Sequence, residues 1–117
     1  MRAICLQLPE VEEKPFGDHT APAFRVRNKM FVTTSEDGTY MSMKAGPGVQ
    51  QALVGDDPEL FFVPPYVGPK GWVGVRLRHK PGGVPVDHDW EELRGLIEES
   101  FRIIAPKRLA ARLDTRS

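Results

Sequence analysis

Eleven prolines and eleven glycines cut this chain into short runs, and that punctuation constrains its fold more than any other feature. Proline lacks the N–H that helices and sheets need and pushes the residue before it toward extended geometry, so most breaks end or open an element. Residues 2–8 read as a short helix closed by Pro9, and Glu10 to Asp18 as a polar loop. Three strands are expected next. Ala23-Phe24-Arg25-Val26-Arg27 alternates apolar with polar, the period of a half-buried strand. Asn28-Lys29 is placed as a two-residue turn into Met30-Phe31-Val32-Thr33-Thr34, and Glu36-Asp37-Gly38 turns the chain into Thr39–Lys44.

Gly46 to Leu53 is expected as a short helix, with Asp57 as the cap of another. Phe61-Phe62-Val63 is a brief apolar segment, and Trp72-Val73-Gly74-Val75-Arg76-Leu77-Arg78 is the clearest strand. The clearest helix comes last. Asp89 at its N-cap with Glu92 three residues on is a capping-box pattern. Trp90, Leu93, Ile97, Phe101 and Ile104 then recur at the spacing of a core-facing stripe. Pro106 stops this helix and opens a final short one, Lys107 to Leu113. The elements give an α+β fold in the order α-β-β-β-α-β-β-α, an antiparallel β-sheet with helices packed on one face.

A folded chain of this size exposes roughly 6,400 Å² of the about 19,000 Å² exposed when extended, room for one core, so residues 1–117 are expected to form a single domain. Cys5 is the sole cysteine, which excludes an internal disulfide or a multi-cysteine metal site. Flanked by Ile4 and Leu6, it reads as a small buried side chain in a reducing, cytoplasmic setting. The longest apolar run, residues 60–65, cannot span a bilayer, and the N-terminus lacks the pattern of a signal peptide.

Sixteen basic residues balance sixteen acidic ones, which removes a uniformly basic nucleic-acid binder and an acidic disordered chain. The distribution is uneven. If Phe24/Val26, Met41/Met43 and Val73/Val75/Leu77 face the helices, the opposite face carries Arg25, Arg27, Tyr40, Ser42, Lys44, Trp72, Gly74, Arg76 and Arg78. No acid is in that set, and none occurs between Glu59 and Asp87. Cations interleaved with aromatics on an open sheet suit nucleic acid, although any solvated face is polar and edge strands favour Lys and Arg. Arg102, Lys107, Arg108, Arg112 and Arg116, opposed by Asp114, make a second basic patch that reads as a solvated tail.

Catalytic groupings are thin. His19 follows Asp18 and His88 lies between Asp87 and Asp89, but sequence neighbours on one element do not face each other. The chain contains no GxGxxG, P-loop, HExxH or GxSxG pattern. No catalytic residue, metal or cofactor is expected.

Leu8-Pro9-Glu10-Val11-Glu12-Glu13, Phe24-Arg25-Val26 and Lys29-Met30-Phe31 resemble the opening of the MmcQ/YjbR-like proteins. Pro65-Tyr66-Val67-Gly68-Pro69-Lys70-Gly71-Trp72-Val73 and the ending Ser100-Phe101-Arg102-Ile103-Ile104-Ala105-Pro106-Lys107 extend the resemblance over nearly the whole chain. It implies a fold of the frataxin/CyaY type and a DNA-binding role of the "double wing" kind. It marks Phe24, Lys29, Tyr66, Lys70 and Trp72, none of them as catalytic. The family's first helix is usually longer than the one expected here. Frataxin-type proteins hold iron on an acidic helix, and residues 2–8 contain no acid, so that role does not carry over.

The expected function is a small cytoplasmic double-stranded-DNA-binding protein with Arg25, Arg27, Lys44, Arg76 and Arg78 on phosphates, Lys29 beside them, and Tyr66, Lys70 and Trp72 at the rim. The alternative is a non-catalytic protein- or small-ligand-binding module in which the Pro64–Trp72 loop shapes an apolar pocket.

Overall fold

The computed structural model describes residues 2–15 and 21–113, so Asp18, His19, Asp114 and Arg116 lie outside the described residues. Helix α1 (Arg2–Leu6) leads into strand β1 (Val11–Glu13), then β2 (Ala23–Val26), β3 (Lys29–Thr34) and β4 (Tyr40–Met43). Helix α2 (Val49–Asp56) follows, then β5 (Phe61–Phe62) and β6 (Val73–Arg76), and finally α3 (Trp90–Ile104) and α4 (Lys107–Ala110). The fold is α+β, with one antiparallel six-stranded sheet in the order β1-β2-β3-β4-β6-β5.

Strand β1 falls where the sequence reads as a polar loop. Val11, Glu12 and Glu13 alone carry little strand signal, and they become a strand by pairing with Val26, Arg25 and Phe24. The hairpin turn between β2 and β3 is Arg27-Asn28, one residue earlier than expected. Both have positive φ (50° and 66°), as a two-residue type I′ turn requires. Asp57 does not start a helix: its N–H donates to the Leu53 carbonyl and closes α2.

Cross-strand partners Phe24, Val32, Met43 and Val73 make one buried row across the sheet. Met41, Val75 and Phe61 make a second. Between Phe24 and Arg25 the register slips, since Phe24 pairs with Val32 and Arg25 with Met30. Phe31 is the extra residue of this bulge. Its ring is wholly buried and meets Phe101 of α3 edge-on at 5.7 Å. Two successive residues of β3 thus enter the core.

Helix α3 forms as its stripe requires, burying Leu93, Ile97 and Phe101. The Asp89 carboxylate accepts from the N–H groups of Glu91 and Glu92 (3.1 and 3.2 Å), offsetting two orphan donors of the first turn. Trp90, expected in the stripe, is 49 % exposed and instead meets His88 edge-on. Helix α2 joins the same side, where Val49 and Leu53 share a groove with Met43, Val73 and Leu96. The helices therefore cover one face of the sheet, and the other stays open.

Cys5 is fully buried in this core, and burial pushes its thiol up to about 12. It is a protonated packing group at neutral pH.

Candidate nucleic-acid interface

The open face is defined by register. Ser42, Gly74 and Phe62 align across β4, β6 and β5, and Tyr40 pairs with Arg76 on the next row. Gly74 is the pivot. A Cβ at this position would lie 2.5 Å from the Phe62 ring, so only glycine lets that ring lie across the sheet. Phe62 then meets Tyr40 edge-on at 5.0 Å, and the Arg76 guanidinium sits over the Phe62 ring at 4.6 Å. The ring quadrupole favours that placement of a cation.

Beside this cluster is a cleft of about 500 Å³ lined by Asp37, Thr39, Tyr40, Arg76, Arg78, His79 and Lys80. Arg78 is anchored, donating to the Gly83 carbonyl at 2.6 Å, and its side chain remains exposed. Neither Arg76, Arg78 nor Lys80 is in an ion pair among the described residues. Asp37 Oδ1 accepts from Ser35 Oγ (2.9 Å), the Thr39 N–H (3.0 Å) and Thr39 Oγ1 (2.6 Å). The Thr39 hydroxyl first, then its N–H and the Ser35 hydroxyl, hold this carboxyl below its ordinary value. It stays ionised at neutral pH.

The other end of the face is different. Arg25 and Arg27 were expected on a surface without acids, but β1 lays Glu12 opposite Arg25. Glu10 pairs with Arg27 at 2.9 Å and with Arg112 at 3.7 Å. Arg25 is half-buried, and its Nε is buried without a hydrogen-bond partner. The expected acid-free face fails at this end because Glu12 comes from a strand that sequence alone did not place, and at the β4–β6 end the cleft includes Asp37. Two cations of the C-terminal basic patch are likewise paired, Arg112 with Glu10 and Arg102 with Glu99 at 3.5 Å.

Three further expected positions fall elsewhere. Lys29 pairs in register with Val26 and so lies on the helix side of its strand end, exposed to solvent. Lys44 follows the last residue of β4, where alternation has ended. It lines the groove between α2 and α3, and its ammonium donates to the Lys70 carbonyl at 2.8 Å. Trp72, expected at the rim, is 8 % exposed and packed inside.

The 64–72 loop is held by its backbone. The buried Gln50 amide donates to the carbonyls of Gly68 (2.8 Å) and Trp72 (2.6 Å). Tyr66 has φ 66°, and the Val67 N–H donates across it to the Pro65 carbonyl at 2.7 Å, a strained γ-turn. That turn leaves Tyr66 94 % exposed, while Lys70 is exposed on a short 3₁₀ turn. With Tyr66 in solvent and Trp72 inside, the two rings do not line a common pocket.

The structure thus brings together Arg76 and Arg78 of the expected set. It adds Phe62 and Asp37, which sequence reasoning missed. A glycine inside the clearest strand was the available signal, since it marks a close approach by another group.

A family model described as YjbR matches residues 6–103. No curated protein matches the sequence. The fold is similar to the crystal structure of Deinococcus radiodurans protein DR2400, which carries a DUF419 domain. That similarity has a TM-score of 0.72 and 24 % identity, over 97 % of this chain and 84 % of the other. With the family model covering most of its length, this chain belongs to the YjbR family.

Proposed function

We propose that the protein is a non-catalytic cytoplasmic module that binds DNA on the β4–β6 half of its open sheet face. The observation that carries this reading is a cleft in which Arg76, Arg78 and Lys80 converge without an ion pair among the described residues. Unpaired cations beside aromatic rings match the two chemical parts of a nucleic acid, its phosphates and its bases. The zero net charge of the chain gives little long-range steering, so the binding is modest and depends on these local contacts.

The non-catalytic reading has support of its own. The Cys5 thiol is buried and protonated, and His88 Nε2 is engaged with the Arg76 carbonyl at 2.6 Å.

Fluorescence anisotropy of a short double-stranded DNA at several salt concentrations tests the proposal. Log affinity should fall with log salt by about 0.9 per phosphate contacted. Arg76→Ala with Arg78→Ala should weaken binding and flatten that slope. Unchanged affinity in the double variant would refute the proposed face.

A further inference from the structure

We infer that the β4–β6 half of the open face takes an unpaired stretch of nucleic acid, stacking a base on the Tyr40–Phe62–Arg76 cluster, in preference to a closed duplex. The inference rests on the reading of this face as a nucleic-acid surface and specifies the form of the ligand.

Three observations carry it. The first is the cluster's construction. Phe62 lies across Gly74 with Tyr40 edge-on at 5.0 Å and the Arg76 guanidinium 4.6 Å above its ring. All three side chains are at least partly exposed. A base stacks on a ring or on a guanidinium plane, and its flat faces are available only when it is out of the duplex stack.

The second is unused hydrogen-bonding capacity. Among the described residues, neither the Tyr40 hydroxyl nor the Arg76 guanidinium makes a hydrogen bond, although the contact with Phe62 holds the guanidinium in place. A positioned guanidinium with free donors can meet a phosphate or the acceptor edge of a base.

The third is Asp37. A carboxylate kept ionised in a cationic cleft repels phosphate, so a pure backbone-binding groove has no use for it. Its hydrogen bonds from Ser35 and Thr39 all fall on Oδ1, and Oδ2 takes none of them. That oxygen can accept from the exocyclic amino group of a base, as Asp and Glu accept from cytosine. Bases and backbone thus have separate receptors in one cleft.

The test uses the full chain and four labelled probes of equal length in anisotropy titrations at low salt. They are a cytosine-rich deoxyribose strand, the same strand as ribose, its closed duplex, and an abasic phosphate strand of the same charge. The inference expects one of the two base-bearing single strands to bind roughly tenfold or more tighter than both the duplex and the abasic strand. Tyr40→Leu and Phe62→Leu, which keep apolar cover on the sheet, should abolish that preference, while Tyr40→Phe retains it. Circular dichroism confirms that the leucine variants are folded.

Equal binding of abasic and base-bearing strands, or a tighter duplex, overturns the inference. If that binding remains sensitive to salt and to Arg76→Ala with Arg78→Ala, the DNA-binding reading survives. If no probe binds in a salt-sensitive way, both are overturned.

Discussion

The β1–β2 end and the β4–β6 end of the sheet carry similar cations held in different ways. At the β1–β2 end, Arg27 is held by Glu10, and Arg25 lies across from Glu12. At the β4–β6 end, Arg76 rests on an aromatic ring and Arg78 on a backbone carbonyl, and neither meets a carboxylate. A cation satisfied by an acid is part of the fold's own charge balance. A cation held by a ring or a carbonyl is fixed in position while its charge remains available. The same residue type thus serves structure in the β2–β3 hairpin, where Arg27 shares a cleft with Arg108 and Leu109 of α4, and is poised for a ligand on the β4–β6 face.

The most disruptive way to break the contrast is Gly74→Val. The added side chain would collide with the Phe62 ring and displace the aromatic cluster. Overpacking of this kind costs about 1–3 kcal/mol, read as a lower midpoint in denaturant. DNA binding should fall with it.

A sharper comparison sets two double variants side by side. Arg76→Ala with Arg78→Ala should reduce the salt slope by about 2, the yield of two lost phosphate contacts. Arg25→Ala with Arg27→Ala should leave it nearly unchanged, because those cations are already engaged or half-buried. Equal losses from the two variants would erase the distinction between the ends.

A smaller effect should come from unlocking the compensated end. Glu10→Gln removes the carboxylate that both Arg27 and Arg112 approach. Exposed pairs of this kind contribute under about 1 kcal/mol each, so the midpoint should move little. Removing that negative charge should raise DNA affinity a few-fold at low salt, and the gain should vanish at high ionic strength. A stability loss of several kcal/mol would instead make Glu10 a keystone of the fold.

Cys5, in the core behind β1, should be silent at neutral pH. Its thiol should resist alkylation in the native protein and react once denatured. Because burial raises the folded pKa from 9.0 to about 12, the thiol favours the folded state fully below pH 9. That contribution erodes as the pH rises toward 12, where an unfolded chain ionises first. Denaturant midpoints of the native chain and Cys5→Ala should therefore converge or cross in that alkaline window. Rapid alkylation at neutral pH would show instead that the β1 end opens readily.

Local signals in the sequence account for much of the fold. The stripe of α3 and its Asp89 cap lie within a few residues of one another, so periodicity and capping chemistry reveal them without tertiary knowledge. The alternation in β2, β4 and β6 likewise separates core-facing from open positions, because side chains on a strand alternate whatever its neighbours are. Alternation failed at its boundaries. Lys44 lies one residue past β4, and Trp72 one residue before β6. The Lys44 side chain lines the groove, and Trp72 is buried rather than at a rim.

What the sequence by itself determined is therefore an antiparallel α+β chain with an amphipathic last helix, a buried cysteine and cations on alternate strand positions. Only the tertiary structure decided which of those cations are neutralised. Glu10 reaches Arg27 from just before a three-residue edge strand that exists because β2 offers it a partner, and that strand lays Glu12 opposite Arg25. Phe62 reaches Arg76 across a glycine twelve residues further along the chain. Such neighbours are set by strand order and register rather than by local propensity. Charge at a site depends on distance in space, and folding alone supplies that distance.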